Sequence, residues 1–338
     1  MRLATICDGS RDGRLHVVGG DGRAMAPSPE RWPTLQRALD EWGEAERALR
    51  AVDVALAAGT AARTVALGLD SVAAPLPRAY EWIDGSAFLN HVRLVRKARG
   101  ALPPATLETD PLVYQGGSSE MLGPVEPFVL SDERFGLDFE AELGVILGDV
   151  PAGTPVERAG SSVRLVVLLN DWTFRTLVPE ELAKGFGFFQ SKPATGFAPF
   201  AVTPDELGAA WRDARAFVRV RTTLNGAVVG DCDSGPEMHF SFAQLIAHVA
   251  RTRSFTAGTI LGSGTVSNAD PARGVSCLAE RRMIEQIDTG AASTRLLRWG
   301  DVVRIEAFLP DGTSPFGAIE ARVARTPSPD AAPALRTR

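Results

Sequence analysis

Lysine, tyrosine, histidine and cysteine are all scarce in this 338-residue chain, which has three, two, four and three of them. The cysteines, Cys7, Cys232 and Cys277, are widely spaced and odd in number. They exclude a disulfide framework and a paired-cysteine metal site, and they suit a reducing cytoplasm. Neither sign of charge dominates: 41 Asp plus Glu stand against 36 Lys plus Arg, a net charge of -5. That balance leaves no basic footprint for nucleic acid or for an anionic membrane surface. No apolar run approaches the ~18 residues of a membrane span. The N-terminus, MRLATICDGSRDG, is expected not to be a signal peptide, because it lacks the apolar stretch of one. The GKS or GKT of a phosphate loop, GxGxxG, GxSxG, HExxH and CxxC are all missing, so nucleotide binding is not expected. What is present, 45% hydrophobic and 23% charged residues, describes an ordinary globular chain of about two domains.

The apolar pattern divides the chain near Ala74-Pro75-Leu76-Pro77, which a helix is not expected to cross. Before it, strands are expected at Arg2–Cys7 and Leu15–Val18. One helix is expected over Thr34–Ala58, where Leu35, Leu39, Trp42, Ala45, Leu49 and Val52 recur at spacings of three and four. Residues 1–75 thus form a small N-terminal α/β domain, and 76–327 a larger domain that is mostly β. Strand segments there are Leu137–Leu147, the run Arg164–Asn170, a hairpin through Asn225-Gly226, and Asp301–Leu309 with Phe316–Val323. Ser241 is placed to cap a helix ending near Arg253, and a further helix-like run covers Ser86–Arg99. From residue 328 the chain reads as a loose tail. The fold class expected is α+β and β-rich.

Five constellations bear on chemistry. Glu140 and Glu142 in an expected strand project to one face. They are either a solvated strand face or a pair whose repulsion is relieved by a hard divalent cation such as Mg²⁺, Ca²⁺ or Mn²⁺. Asp171 ends an apolar run in Asn170-Asp171-Trp172 and reads as a turn former or as a third oxygen ligand. Asp84 precedes His91 by nearly two helical turns, so ligand and base can face one cavity, although a histidine held by packing has the same appearance. Lys192 is one of only three lysines in a chain that otherwise uses arginine, and is either a surface residue or a compact cation needed in place. Gly262-Ser263-Gly264-Thr265 allows close backbone approach.

In order along the chain these pieces resemble the fumarylacetoacetate hydrolase family, over roughly residues 75–327. The matching segments are DGSAFLNH with Asp84 and His91, YQGGSS with Tyr114, DFEAELG with Glu140 and Glu142, LLNDWTFR with Asp171 and Arg175, QSKPATGFAP with Lys192, GSGTVSN with Thr265, and CLAE with Glu280. The resemblance implies a β-rich mixed roll with a small N-terminal domain, working as a homodimer. It implies a divalent metal on Asp84, Glu140, Glu142 and Asp171, catalysis by His91, Glu280 and Lys192, and substrate contacts from Arg175, Tyr114 and Thr265. The implied reaction is hydrolysis of a carbon–carbon bond in a β-diketo acid such as fumarylacetoacetate, in tyrosine or aromatic-compound breakdown. Acylpyruvate hydrolysis, or a lyase reaction on the same metal site that decarboxylates oxaloacetate or tautomerises ring-cleavage products, are the alternatives. Ser86 and Val178 stand where the tyrosine-degrading members carry tyrosine and glutamine, and Gly100, next to Arg99, stands where they carry a second substrate arginine.

Overall fold

A computed structural model describes residues 1–98 and 102–326. The expected tail beyond residue 328, and the Arg99-Gly100 position, lie outside the described residues. The fold is α+β and β-rich, built on a 13-stranded mixed sheet and a separate five-stranded one. The large sheet runs through Arg14–Val18, Arg2–Ile6, Ala201–Val202, Val163–Phe174, Ala141–Leu147, Ile260–Gly262, Trp82–Gly85 and Val113–Gly116. The N-terminal strands therefore do not form a sheet of their own. Arg2 pairs with Val202 and Leu3 with Ala201, and the Met1 amino group donates to Glu206 at 2.7 Å and to Thr203.

All seven residues of Ala141–Leu147 are buried, which accounts for the near-continuous apolar run of a strand covered on both faces. Val302–Phe308, in the five-stranded sheet, alternates buried and half-buried residues as a strand with one wetter face does. The hairpin forms where expected: Asn225 and Gly226 both adopt positive φ, 52° and 82°, as a tight two-residue turn requires. The Phe242–Val249 helix begins at Ser241, whose side chain and that of Gln244 cap each other's backbone N–H.

Several expected boundaries change. The strand expected over Leu137–Leu147 breaks at Phe139-Glu140, whose N–H groups go to the Asp138 and Asn170 side chains, leaving strands Leu137–Asp138 and Ala141–Leu147 with Glu140 outside both. The Thr34–Ala58 periodicity is split into helices at Leu35–Asp40 and Trp42–Ala57. Glu41 leaves helical geometry while its carboxylate accepts from Trp32 Nε1 and from Arg31 and Arg37. Local ion pairs hold this break against a propensity that would carry the helix through. The strand expected to end at Asn170 continues to Phe174, because Asp171 pairs with Thr195, Trp172 with Ala194 and Thr173 with Asp138. The Asn170 side chain, free to start a turn in isolation, instead accepts the Glu140 N–H at 2.9 Å.

Candidate metal centre and active site

Three neighbouring parts of the large sheet deliver acids to one point. Asp84 sits on Trp82–Gly85, Glu142 on Ala141–Leu147 and Asp171 on Val163–Phe174. The carboxylates of Asp84, Glu142 and Asp171 each place an oxygen within 4.8 Å of the others, and all three residues are buried. Glycine makes the approach possible. A Cβ at Gly262 would lie 2.3 Å from Asp84 Oδ1, and Gly264, at φ +73°, donates its N–H to that same oxygen at 2.9 Å. The small-residue turn seen in the sequence thus brings backbone up against the Asp84 strand.

Electrostatics separates the four acids. Burial and the facing carboxylates push the Asp84 and Glu142 carboxyls well above their ordinary range, and Asp171 is raised too, chiefly by burial, which the Lys192 charge opposes. Burial would raise Glu140 as well, but Lys192 and Arg175 outweigh it and hold that carboxyl far below. Glu140 Oε2 accepts from Lys192 Nζ at 2.5 Å, and Oε1 accepts from Arg175 at 2.7 Å. Lys192 is buried, not on the surface, and its Nζ also donates to Asp171 Oδ2 at 2.5 Å and to Thr173 Oγ1 at 2.9 Å. Burial alone would favour the neutral amine; Asp171 and Glu140 reverse this and keep the ammonium charged. The Tyr114 ring lies 5.1 Å from Nζ, and Phe188 meets that ring edge-on.

Across the cavity the Leu89–Ala98 helix carries His91 and the Leu278–Thr289 helix carries Glu280. His91 Nδ1 lies 2.8 Å from Glu280 Oε1, and Glu280 is buried. An ionised carboxylate only accepts, so Nδ1 carries the hydrogen and Nε2 keeps its lone pair. His91, Asp84, Glu140, Glu142, Arg175 and Lys192 line one cavity of about 830 Å³, a size suited to a small-molecule substrate.

The residues named in the sequence as ligands, catalytic groups and substrate contacts are all at this site, with different partners for some. Arg175, Tyr114 and Thr265, read as substrate contacts, line the cavity but also serve the acids. Arg175 bonds Asp138 and Glu140, Tyr114 donates to Asp171 Oδ2 at 2.5 Å, and Thr265 donates to Glu142 Oε1 at 3.4 Å. Ser86 and Val178 also line the cavity. Two supporting residues went unread. Asp138 is fully buried and accepts from the N–H groups of Leu278 and Ala279 and from Arg175 Nε, tying the helix of Glu280 to the acid cluster. Its signal was available, since Asp138, Glu140 and Glu142 alternate along one segment. Glu181 accepts from the N–H groups of Phe189, Gln190 and Ser191 and so fixes the segment leading to Lys192. Nothing in its local pattern marks it.

Comparison with known proteins settles the family. The profile described as fumarylacetoacetate (FAA) hydrolase C-terminal matches residues 81–324, and that described as fumarylacetoacetase N-terminal domain 2 matches residues 1–78. The chain belongs to the fumarylacetoacetate hydrolase family. Among relatives, the 2,4-didehydro-3-deoxy-L-rhamnonate hydrolase of Sphingomonas sp. (strain SKA58) is 29% identical over 162 residues, covering 47% of this chain and 54% of that protein. The same fold is found in a putative HpcE protein from Mycobacterium smegmatis, with a TM-score of 0.68 at 22% identity over 97% of this chain and 100% of that one. It is found also in the maleylpyruvate hydrolase of Sphingobium sp. SYK-6, solved with manganese(II) ion and pyruvate, with a TM-score of 0.62 at 18% identity over 96% and 99%. Named members of the family among these matches are hydrolases, isomerases and a tautomerase, so the family is one of enzymes. Among the described residues, no helix is long and apolar enough to cross a membrane.

The residues fit a divalent cation. Three buried carboxylates converge, and Glu142 Oε2 is buried without a hydrogen-bond partner among the described residues. An all-oxygen donor set of this charge suits Mg²⁺, Mn²⁺ or Ca²⁺.

Proposed function

We propose that this enzyme hydrolyses a carbon–carbon bond in a β-diketo acid, in the class of fumarylacetoacetate and the acylpyruvates. Asp84, Glu142 and Asp171 would hold a divalent cation, with Glu140 beside them. The observation that carries this reading is one cavity combining a carboxylate trio that has an orphaned oxygen with an oriented His91–Glu280 pair. When bound, the cation polarises the substrate's diketone oxygens and stabilises the negative charge left on carbon as the bond breaks.

This chain's residues supply the rest. His91 Nε2 takes a proton from the water that adds to the carbonyl carbon, while Glu280 holds the ring and balances the imidazolium. Lys192, kept charged by Glu140 and Asp171 and with its N–H donors on those acids and Thr173, stabilises the oxyanion formed at that carbon through its charge. The carbon–carbon bond then breaks, one fragment leaves as a carboxylate, and the proton held by His91 passes to the carbon of the other. Decarboxylation of a 2-oxo acid needs neither an attacking water nor a base to activate one, so the His91–Glu280 pair favours hydrolysis over it, whereas tautomerisation moves a proton and would use the same base. The Sphingobium neighbour, solved with manganese(II) ion and pyruvate, supports the acylpyruvate end of the class.

The test follows the ultraviolet absorbance of fumarylacetoacetate and of acylpyruvates with Mg²⁺ or Mn²⁺, and again with chelator. Metal-dependent loss with two carboxylic acid products is expected. Turnover of oxaloacetate alone would replace hydrolysis by the lyase or tautomerase chemistry.

A further inference from the structure

We propose that His91, Cys277 and Glu280 form a second metal site, apart from the acid trio, which takes a thiophilic dication of the zinc class and silences the base when filled. The site is argued from its donors; only its effect on turnover rests on the hydrolase reading.

Each of the three residues places a ligand atom within 4.8 Å of the other two, and Cys277 and Glu280 are buried. One helix supplies both of these. Cys277 caps Leu278–Thr289, and its sulfur accepts the Glu280 N–H at 3.5 Å, so thiol and carboxylate stand three residues apart on the first turn. His91 comes from the Leu89–Ala98 helix and meets Glu280 at 2.8 Å. Donor atoms around tetrahedral zinc lie roughly 3.3–3.6 Å apart, as bonds of ~2.0–2.3 Å require, so side-chain movements of about 1 Å bring all three onto one ion.

Donor chemistry separates this group from Asp84, Glu142 and Asp171. Three carboxylates suit a hard cation such as Mg²⁺, whereas a thiolate, an imidazole and one carboxylate suit zinc. The charges also close: thiolate and carboxylate beside a neutral imidazole are cancelled by a dication, and burial favours a neutral sum. Without the cation, burial and the charges of Glu280 and Asp138 push the Cys277 thiol well up, so the sulfur keeps its hydrogen. On binding, the S–H bond breaks, its electron pair goes to the cation and the proton leaves to solvent. His91 lines the cavity with its side chain 19% exposed, which gives the cation a way in and a fourth position for water.

The consequence for catalysis is the same whichever ring nitrogen the cation takes. At Nε2 it covers the lone pair directly; at Nδ1 it displaces the hydrogen shared with Glu280 onto Nε2. In both cases His91 can no longer accept a proton from water.

The experiment adds Co²⁺, a coloured stand-in for zinc, to the full chain in excess Mg²⁺ and then displaces it with Zn²⁺. A near-ultraviolet sulfur-to-cobalt charge-transfer band is expected in the parent, removed by Zn²⁺ and absent in Cys277→Ser, a variant that keeps a helix-capping side chain. The acid trio carries no sulfur and produces no such band. A band that survives in Cys277→Ser, or none in the parent, would overturn the site. On whichever β-diketo acid is turned over, Zn²⁺ should inhibit the parent at least about tenfold more strongly than Cys277→Ser, since even a residue behind a metal ligand contributes that much to affinity. Equal inhibition of the two proteins would overturn the silencing of His91. Absence of turnover of any β-diketo acid, beside a band that Cys277→Ser abolishes, would sink the hydrolase reading and leave the metal site standing.

Discussion

Asp138 and Arg175 are joined at 2.8 Å through Oδ2 and Nε, and this pair connects the two sides of the cavity. On one side Asp138 accepts from the first N–H groups of the helix that carries Glu280; on the other Arg175 holds Glu140, which holds Lys192. The helix N-terminus favours an anion at that position, and the fully buried carboxylate has its charge answered by donors on both oxygens.

Asp138→Asn should therefore destabilise the protein by about 3–5 kcal/mol, the cost of breaking a buried ion pair from one side. The amide would also turn an N–H toward backbone N–H donors. Denaturant unfolding of the two proteins checks this, and a loss under about 1 kcal/mol would mean the connection contributes little.

His91→Ala should lower hydrolysis by ~10²–10⁴, the usual contribution of a general base. Glu280→Ala should fall in the same direction, and the double variant should be little worse than His91→Ala, since residues acting as one unit are not additive. Steady-state rates on whichever β-diketo acid is turned over decide it. Strict additivity would separate the two residues and leave Glu280 a packing role.

Much of this site could be read from local sequence, and the reasons differ by residue. Glu140 and Glu142 stood out because acids alternate inside an apolar segment, and Lys192 because lysine is so rare here. Local pattern could not say which acid faces which cation. Glu140 and Glu142 are two residues apart, yet Glu140 accepts from Lys192 and Arg175 while Glu142 joins Asp84 and Asp171. That division depends on strands brought together from distant parts of the chain. The break at Glu41 was hidden for a related reason: its partner Trp32 lies outside the helical period. The N-terminal strands gave no sign that their outer partner would be Ala201–Val202.

Burial and mutual repulsion raise the Asp84 and Glu142 carboxyls in the folded protein without metal. A carboxyl raised on folding binds protons more tightly folded than unfolded. Its stabilising contribution is complete below its unfolded value, about 4, and is lost as pH rises toward the folded one. A bound divalent cation removes that loss. The gain in melting temperature given by Mg²⁺ or Mn²⁺ over chelator should consequently widen as pH rises from about 5 to 8. A gain that stays flat or shrinks over that range would count against a cation on these acids.

Glu142→Gln sharpens the same point, because it removes one of the repelling charges along with one ligand. The chelated variant should melt at or above the parent, while the gain from metal should largely vanish. A variant that melted lower than the parent in chelator would indicate that Glu142 stabilises the fold through contacts of its own.

Gly264 supports Asp84 by geometry, and its replacement tests how closely the site is set. At φ +73° an L-side chain is strained, and a Cβ there would lie 2.4 Å from the Gly85 carbonyl oxygen, on the residue that follows Asp84. Backbone cannot swing aside as a flexible side chain does, so Gly264→Ala should cost about 1–3 kcal/mol in stability. It should also weaken the 2.9 Å hydrogen bond from the Gly264 N–H to Asp84 Oδ1 and shift that carboxylate away from Glu142 and Asp171. Metal affinity, measured by calorimetry on the folded variant, should fall with it. Unchanged affinity alongside lowered stability would mean that Asp84 is positioned by its own strand and needs no help from the glycine turn.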